Sequence, residues 1–135
     1  MARTALGIAI AVALLAAGCG VRTSKPFTAK GTFGCLKTHG FTGVTTNPLK
    51  VGFIAAFADK GGIRATSATG NGLTIAFAAD AESTGSTEQA FRSHAPKSLR
   101  PHLSDILLVN RNAVLVWTIT PDPAELDAAA RCLKP

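Results

Sequence analysis

DILLVNRNAVLVWTIT, residues 105–120, carries the strongest strand signal in the 135-residue chain. The runs 105–110 and 113–120 are rich in Ile, Leu, Val, Trp and Thr, side chains that suit a pleated, half-buried surface. Arg111 and Asn112 separate them, and asparagine tolerates the left-handed backbone that a tight hairpin demands. Val114, Leu115, Val116 and Trp117 are apolar without alternation, which predicts an interior strand covered on both faces.

Working outward, a second hairpin is expected upstream. Residues 63–68 and 73–78 flank a Gly70-Asn71-Gly72 turn, and Leu73, Ile75 and Phe77 alternate onto one face. Between the hairpins Asp80 caps a predicted helix ending at His94, with Thr84, Thr87, Phe91 and Ala95 inward, and the proline-containing stretch 95–104 is expected to be a loop. After the last strand, Asp122, Pro123 and Glu125 form a capping-box pattern ahead of a stripe of Leu126, Ala129, Ala130 and Leu133. Near the start of the domain, 32–39 is expected to be a short helix with Thr32 as N-cap and Gly40 just past its end. Residues 41–46 follow as a weak edge strand. Asn47 and Pro48 then open a predicted helix that turns Leu49, Phe53, Ala56 and Phe57 inward and stops at Gly61-Gly62. Two hairpins separated by a helix imply an α+β fold, an antiparallel sheet of four to five strands packed with helices in a single domain over 32–135. Phe53, Phe57 and Trp117 are expected in its core.

Composition supports a packed globule. Hydrophobic residues make up 47% and charged ones 16%, the reverse of a disordered chain, and a net charge of +6 favours anionic surfaces over acidic metal chemistry.

The first residues have a different character. Arg3 is the only charge before Arg22, and 6–18 is built from Leu, Ile, Val, Ala and Gly alone, the pattern of a signal peptide over 1–18. As a helix that run would span only about 20 Å, short of the ~30 Å hydrocarbon core of a bilayer. Ala16-Ala17-Gly18-Cys19 at its end resembles the lipobox of bacterial lipoproteins. The resemblance implies cleavage before Cys19, lipid on its thiol, and a polar tether over 19–31 that holds the domain on the extracytoplasmic face of the cell membrane. An ordinary secretory leader and an uncleaved anchor are the alternatives.

Export would place Cys35 and Cys132 in an oxidising compartment, where they form a natural disulfide pair. Structural zinc calls for four ligands at close paired spacings, which two distant cysteines do not offer, so no metal is expected. The cysteine before Leu36-Lys37, the hairpin ending in Val-Leu-Val-Trp and the terminal Ala-Arg-Cys-Leu-Lys resemble small exported proteins of actinobacteria. That likeness spans about 33–135 and bears on fold and disulfide alone.

No motif names a reaction. There is no GxSxG elbow, the glycines lack the spacing of phosphate-cradling loops, and Asp80, Asp122 and Glu125 are explained as caps. No cofactor is implied, and a nucleic-acid partner is disfavoured by export and by the single Trp with no Tyr to stack bases. One polar cluster stands out. Arg92, His94, Lys97, Arg100 and His102 fall within eleven residues and form a candidate anion-binding group for phosphate, lipid headgroups or an acidic envelope polymer. The expected function is therefore a non-enzymatic binding or interaction module of the cell envelope, meeting an anionic component or a protein. The alternative is a small-molecule or lipid carrier with a pocket between helices and sheet.

Overall fold

A computed structural model describes residues 24–135; the leader expected over 1–18 and Cys19 lie outside the described residues. Five antiparallel strands form one sheet in the order β1-β2-β3-β5-β4. They are β1 (Thr42–Thr45), β2 (Gly62–Thr66), β3 (Gly72–Phe77), β4 (Leu107–Asn110) and β5 (Ala113–Trp117), and the helices are α1 (Ala29–Thr38), α2 (Phe53–Ala56), α3 (Ala81–His94), α4 (Leu103–Ile106) and α5 (Pro123–Cys132). This is the expected α+β architecture with both hairpins in place.

In the β4–β5 hairpin Asn110 pairs with Ala113 and Leu108 with Leu115. The residue with positive φ is Arg111 (54°) and not Asn112. Asn112 has another task. Buried, it accepts from the Phe27 amide at 2.8 Å and donates Nδ2 to the carbonyls of Phe27 at 2.9 Å and Ala78 at 2.7 Å. An amide with two donors and an acceptor satisfies strand-end groups that would otherwise be stranded away from water.

One face of the sheet carries Ile63, Leu73, Ile75, Phe77, Leu115 and Trp117, all buried against α1 and α5 with Leu36, Ala129 and Cys132. The helix start expected at Thr32 lies one turn earlier. Thr28 is the N-cap and accepts from the Gly31 amide at 2.9 Å, while Thr32 is buried inside α1 and its hydroxyl accepts from the Lys134 amide at 3.2 Å. Phe27, placed in the tether by sequence, is buried here with Arg111 stacked over its ring at 4.1 Å. On α5 the capping box of Asp122 and Glu125 forms as expected, but Ala130 is exposed and Cys132 is fully buried in its stead. Cys132 and Cys35 are joined as a disulfide with 5.2 Å between their Cα atoms, which ties the first helix to the last.

The opposite face is covered more thinly. The helix expected from Asn47 is interrupted: Asn47 closes a single turn, its side chain accepting from the Leu49 amide at 3.0 Å. Gly52 then adopts φ 92°, and α2 is one turn long. Its inward residue is Ala55, because α2 lies almost on the backbone of β2. A Cβ on Gly62 would sit 2.6 Å from the Ala55 Cβ, so only glycine permits the approach. Ala55 is two positions from both Phe53 and Phe57, about 200° round the helix from each. Burying Ala55 therefore turns both phenylalanines outward, against the expectation that they are core.

On the same face α3 forms as predicted, with Asp80 as its cap accepting from the Ser83 amide at 2.8 Å. The stretch 95–104, expected as a loop, holds a 3-10 turn over Arg100–His102 and the start of α4.

Candidate functional site

The thin face has a floor and two walls. Arg64, Thr74 and Val116 are register partners across β2, β3 and β5 and form the floor. Val51, Phe53, Ile54 and Ala55 supply one wall, and Phe91 and His94 of α3 the other, around an open groove of about 390 Å³. The lining is mostly apolar. Its polar members are Thr74, Arg64 and His94, and no acidic residue lines it among the described residues. Arg64 spends one N–H on the Thr74 hydroxyl at 3.0 Å, and pairs with no carboxylate among the described residues. The His94 Nδ1 lies 2.9 Å from the Ala90 carbonyl and donates to it, which leaves Nε2 free of that bond.

Beside the groove stands a ridge. Phe53 and Phe57 contact each other with ring centroids 5.0 Å apart and a 54° tilt. They are 77% and 76% exposed, and Leu49 ahead of them is 93% exposed. Single exposed apolar residues are ordinary on protein surfaces; here three large ones stand on one short segment beside an apolar groove.

The five basic or titratable residues read from sequence have different surroundings. Arg92 is bonded to Glu88 within α3 at 2.8 Å, and Arg100 donates Nε to the Ala95 carbonyl at 3.2 Å. Lys97 is exposed on the connecting turn. His102 lines a separate hollow with Leu99, Ile106 and Ile119. Of the five, His94 alone lines the groove, where its charged companion is Arg64 from a distant strand. At the disulfide, His39 lies beside the pair with Nδ1 3.4 Å from the Cys35 Sγ, and the three side chains sit within 4.8 Å of one another. With the sulfurs joined to each other, neither is a thiolate available to a metal.

Sequence reasoning missed a second polar centre. Glu125 is buried beneath the β2–β3 turn, and one carboxylate oxygen accepts from the hydroxyls of Ser67 and Thr69. The other accepts from Asn71 Nδ2 at 3.3 Å and from the Asp122 amide at 2.9 Å. Burial alone would raise its pKa, but the bonds from Ser67, Thr69, the Asp122 backbone and Asn71 together outweigh it and hold the carboxyl at about 2. At neutral pH it is an acceptor only. It fastens the hairpin turn to the first turn of α5 and is no proton donor.

No helix among the described residues is long and apolar enough to cross a membrane. Comparison of the chain with protein-family models, curated protein sequences and solved structures finds no match in any of the three.

Proposed function

We propose that this chain is an exported, non-enzymatic binding module of the cell envelope, anchored on the extracytoplasmic side through lipid on Cys19, with the α2–α3 face as its working surface. The observation that carries the reading is the solvation of Leu49, Phe53 and Phe57 together on the one segment 49–57, the three most exposed large apolar side chains among the described residues. A large apolar side chain left in water forgoes roughly 1.5–3 kcal/mol of burial, so three on one segment are worth keeping only where something covers them. The disulfide supports export, since such bonds persist in oxidising compartments. A non-enzymatic role is supported by the Ser67 and Thr69 hydroxyls, which donate to an ionised carboxylate and not to a histidine base.

The groove favours a second reading within the same class, a carrier of small apolar molecules. Its location between helices and sheet and its volume match the size range of ligand pockets, roughly 300–1,000 Å³.

Two measurements test the proposal. Intact mass spectrometry of protein from its native membrane is expected to give an acylated Cys19 as first residue together with the two-hydrogen loss of the Cys35–Cys132 bond. An unmodified Cys19 removes the anchor. In nanodiscs, a diazirine-bearing dodecanol is expected to label the peptide containing 49–57 in the parent and to lose most of that labelling in Phe53→Ser/Phe57→Ser. Equal labelling of both removes the working surface.

A further inference from the structure

We propose that the α2–α3 groove takes the aliphatic chain of a monoanionic amphiphile, a long-chain carboxylate, with Arg64 as the partner of its headgroup. The inference rests on the reading of this face as a binding surface and adds the chemistry of what binds. Val51, Ile54, Ala55, Phe91 and Val116 present carbon to the groove and suit an alkyl chain. An entirely hydrocarbon ligand would leave Arg64 facing it. Arg64 is solvent-exposed in the open groove, and a hydrocarbon laid over its guanidinium would strip away water without supplying an acceptor.

Arg64 is placed to receive an anion. It has five N–H donors in a planar fork that matches a carboxylate in two bonds, and the one bond to Thr74 holds the side chain over the sheet while leaving other donors for a ligand. A single cation on the floor suits a single negative charge better than a polyanion, which would need several. His94 is a polar neighbour on the opposite wall. It closes α3, whose C-terminal end is electronegative and repels an anion, so the headgroup belongs with Arg64 on β2. Concavity also selects the ligand class: a groove of this volume fits one chain, whereas a protein partner would meet the ridge of Leu49, Phe53 and Phe57.

The test uses the full chain in phosphatidylcholine nanodiscs with a diazirine-bearing dodecanoate, and peptide mass spectrometry as the readout. Labelling is expected on the peptides containing Val51 to Ala55 and Phe91. Excess dodecanoate is expected to compete about tenfold better than dodecanol, the ratio expected of a charge-assisted hydrogen bond. Dodecyltrimethylammonium is expected to compete no better than dodecanol. Arg64→Gln is expected to reduce dodecanoate labelling about tenfold, a larger loss than that of the alcohol probe, while Arg64→Lys, which keeps the charge without the planar fork, retains part of it. If dodecanol competes as well as dodecanoate, or if Arg64→Gln is labelled like the parent, the headgroup assignment is overturned and the apolar binding surface stands. If neither the carboxylate nor the alcohol probe labels the groove, both fall together.

Discussion

The two faces of the sheet share the same five strands and are finished in opposite ways. On one, α1 and α5 are each ten residues long, joined by a disulfide, and cover a continuous layer from Ile63 to Trp117. On the other, a four-residue α2 and the sparingly apolar α3 leave Arg64, Thr74 and Val116 under an open groove. Strand β3 makes the contrast residue by residue: Leu73, Ile75 and Phe77 point to the stapled side, and Thr74 and Ala76 to the thin one. Stability is concentrated on one side, which frees the other to leave apolar groups in water. The covalent tie adds to what the core on that face supplies.

The largest effect is expected where that tie is broken. Cys35→Ser/Cys132→Ser reopens a sequence separation of 97 residues, and loss of such a bridge costs about 2–5 kcal/mol. The melting temperature under oxidising conditions is expected to fall by about 10 °C or more. Equal melting of variant and parent would remove the claim that the stapled face carries stability.

A smaller effect belongs to Glu125, which sharpens the comparison by tying the β2–β3 turn to the same side. Its folded pKa of about 2 lies below the ordinary 4.5, so between those values the unfolded chain binds more protons than the folded one. Its contribution is present above pH 4.5 and is lost as pH falls toward 2. Glu125→Gln is expected to cost on the order of 1 kcal/mol at pH 7, because the carboxylate borders an open hollow and is partly screened. Parent and variant melting temperatures should converge on acidification. Other carboxylates such as Asp80 titrate in both proteins, so the difference between them is the readout, and a gap that stays constant from pH 7 to 2 contradicts the network.

Much of the stapled face was legible in the sequence because its signals are local. The hairpin at 105–120, the cap at Asp122 and the cysteine pair each declare themselves within a few residues or by residue type. What was not legible was decided at long range. Phe53 and Phe57 have the i, i+4 spacing of a core stripe, and only the missing side chain of Gly62, pressed on Ala55, turns that stripe to solvent. Thr28 and Thr32 are equally good caps by type, and the Lys134 amide on the Thr32 hydroxyl separates them. The Glu125 centre draws on Ser67, Thr69 and Asn71, more than fifty residues away, and gives no pattern along the chain. The dense charges near His94 form one run along the sequence, whereas the charged residue on the groove floor is Arg64, isolated in β2. The one available hint was its alternation with Ile63 and Ala65 onto the face opposite the main core.

The smallest expected effect is the most direct test of the contrast between the faces: the thermal melting of Phe53→Ser/Phe57→Ser beside the parent. Exposed side chains removed from no core should shift stability by no more than about 0.5 kcal/mol, so the two melting temperatures are expected to agree within about 3 °C. Two buried phenylalanines would each cost about 3–5 kcal/mol, and a fall of 15 °C or more would contradict the account by showing that α2 turns its aromatic pair into the core.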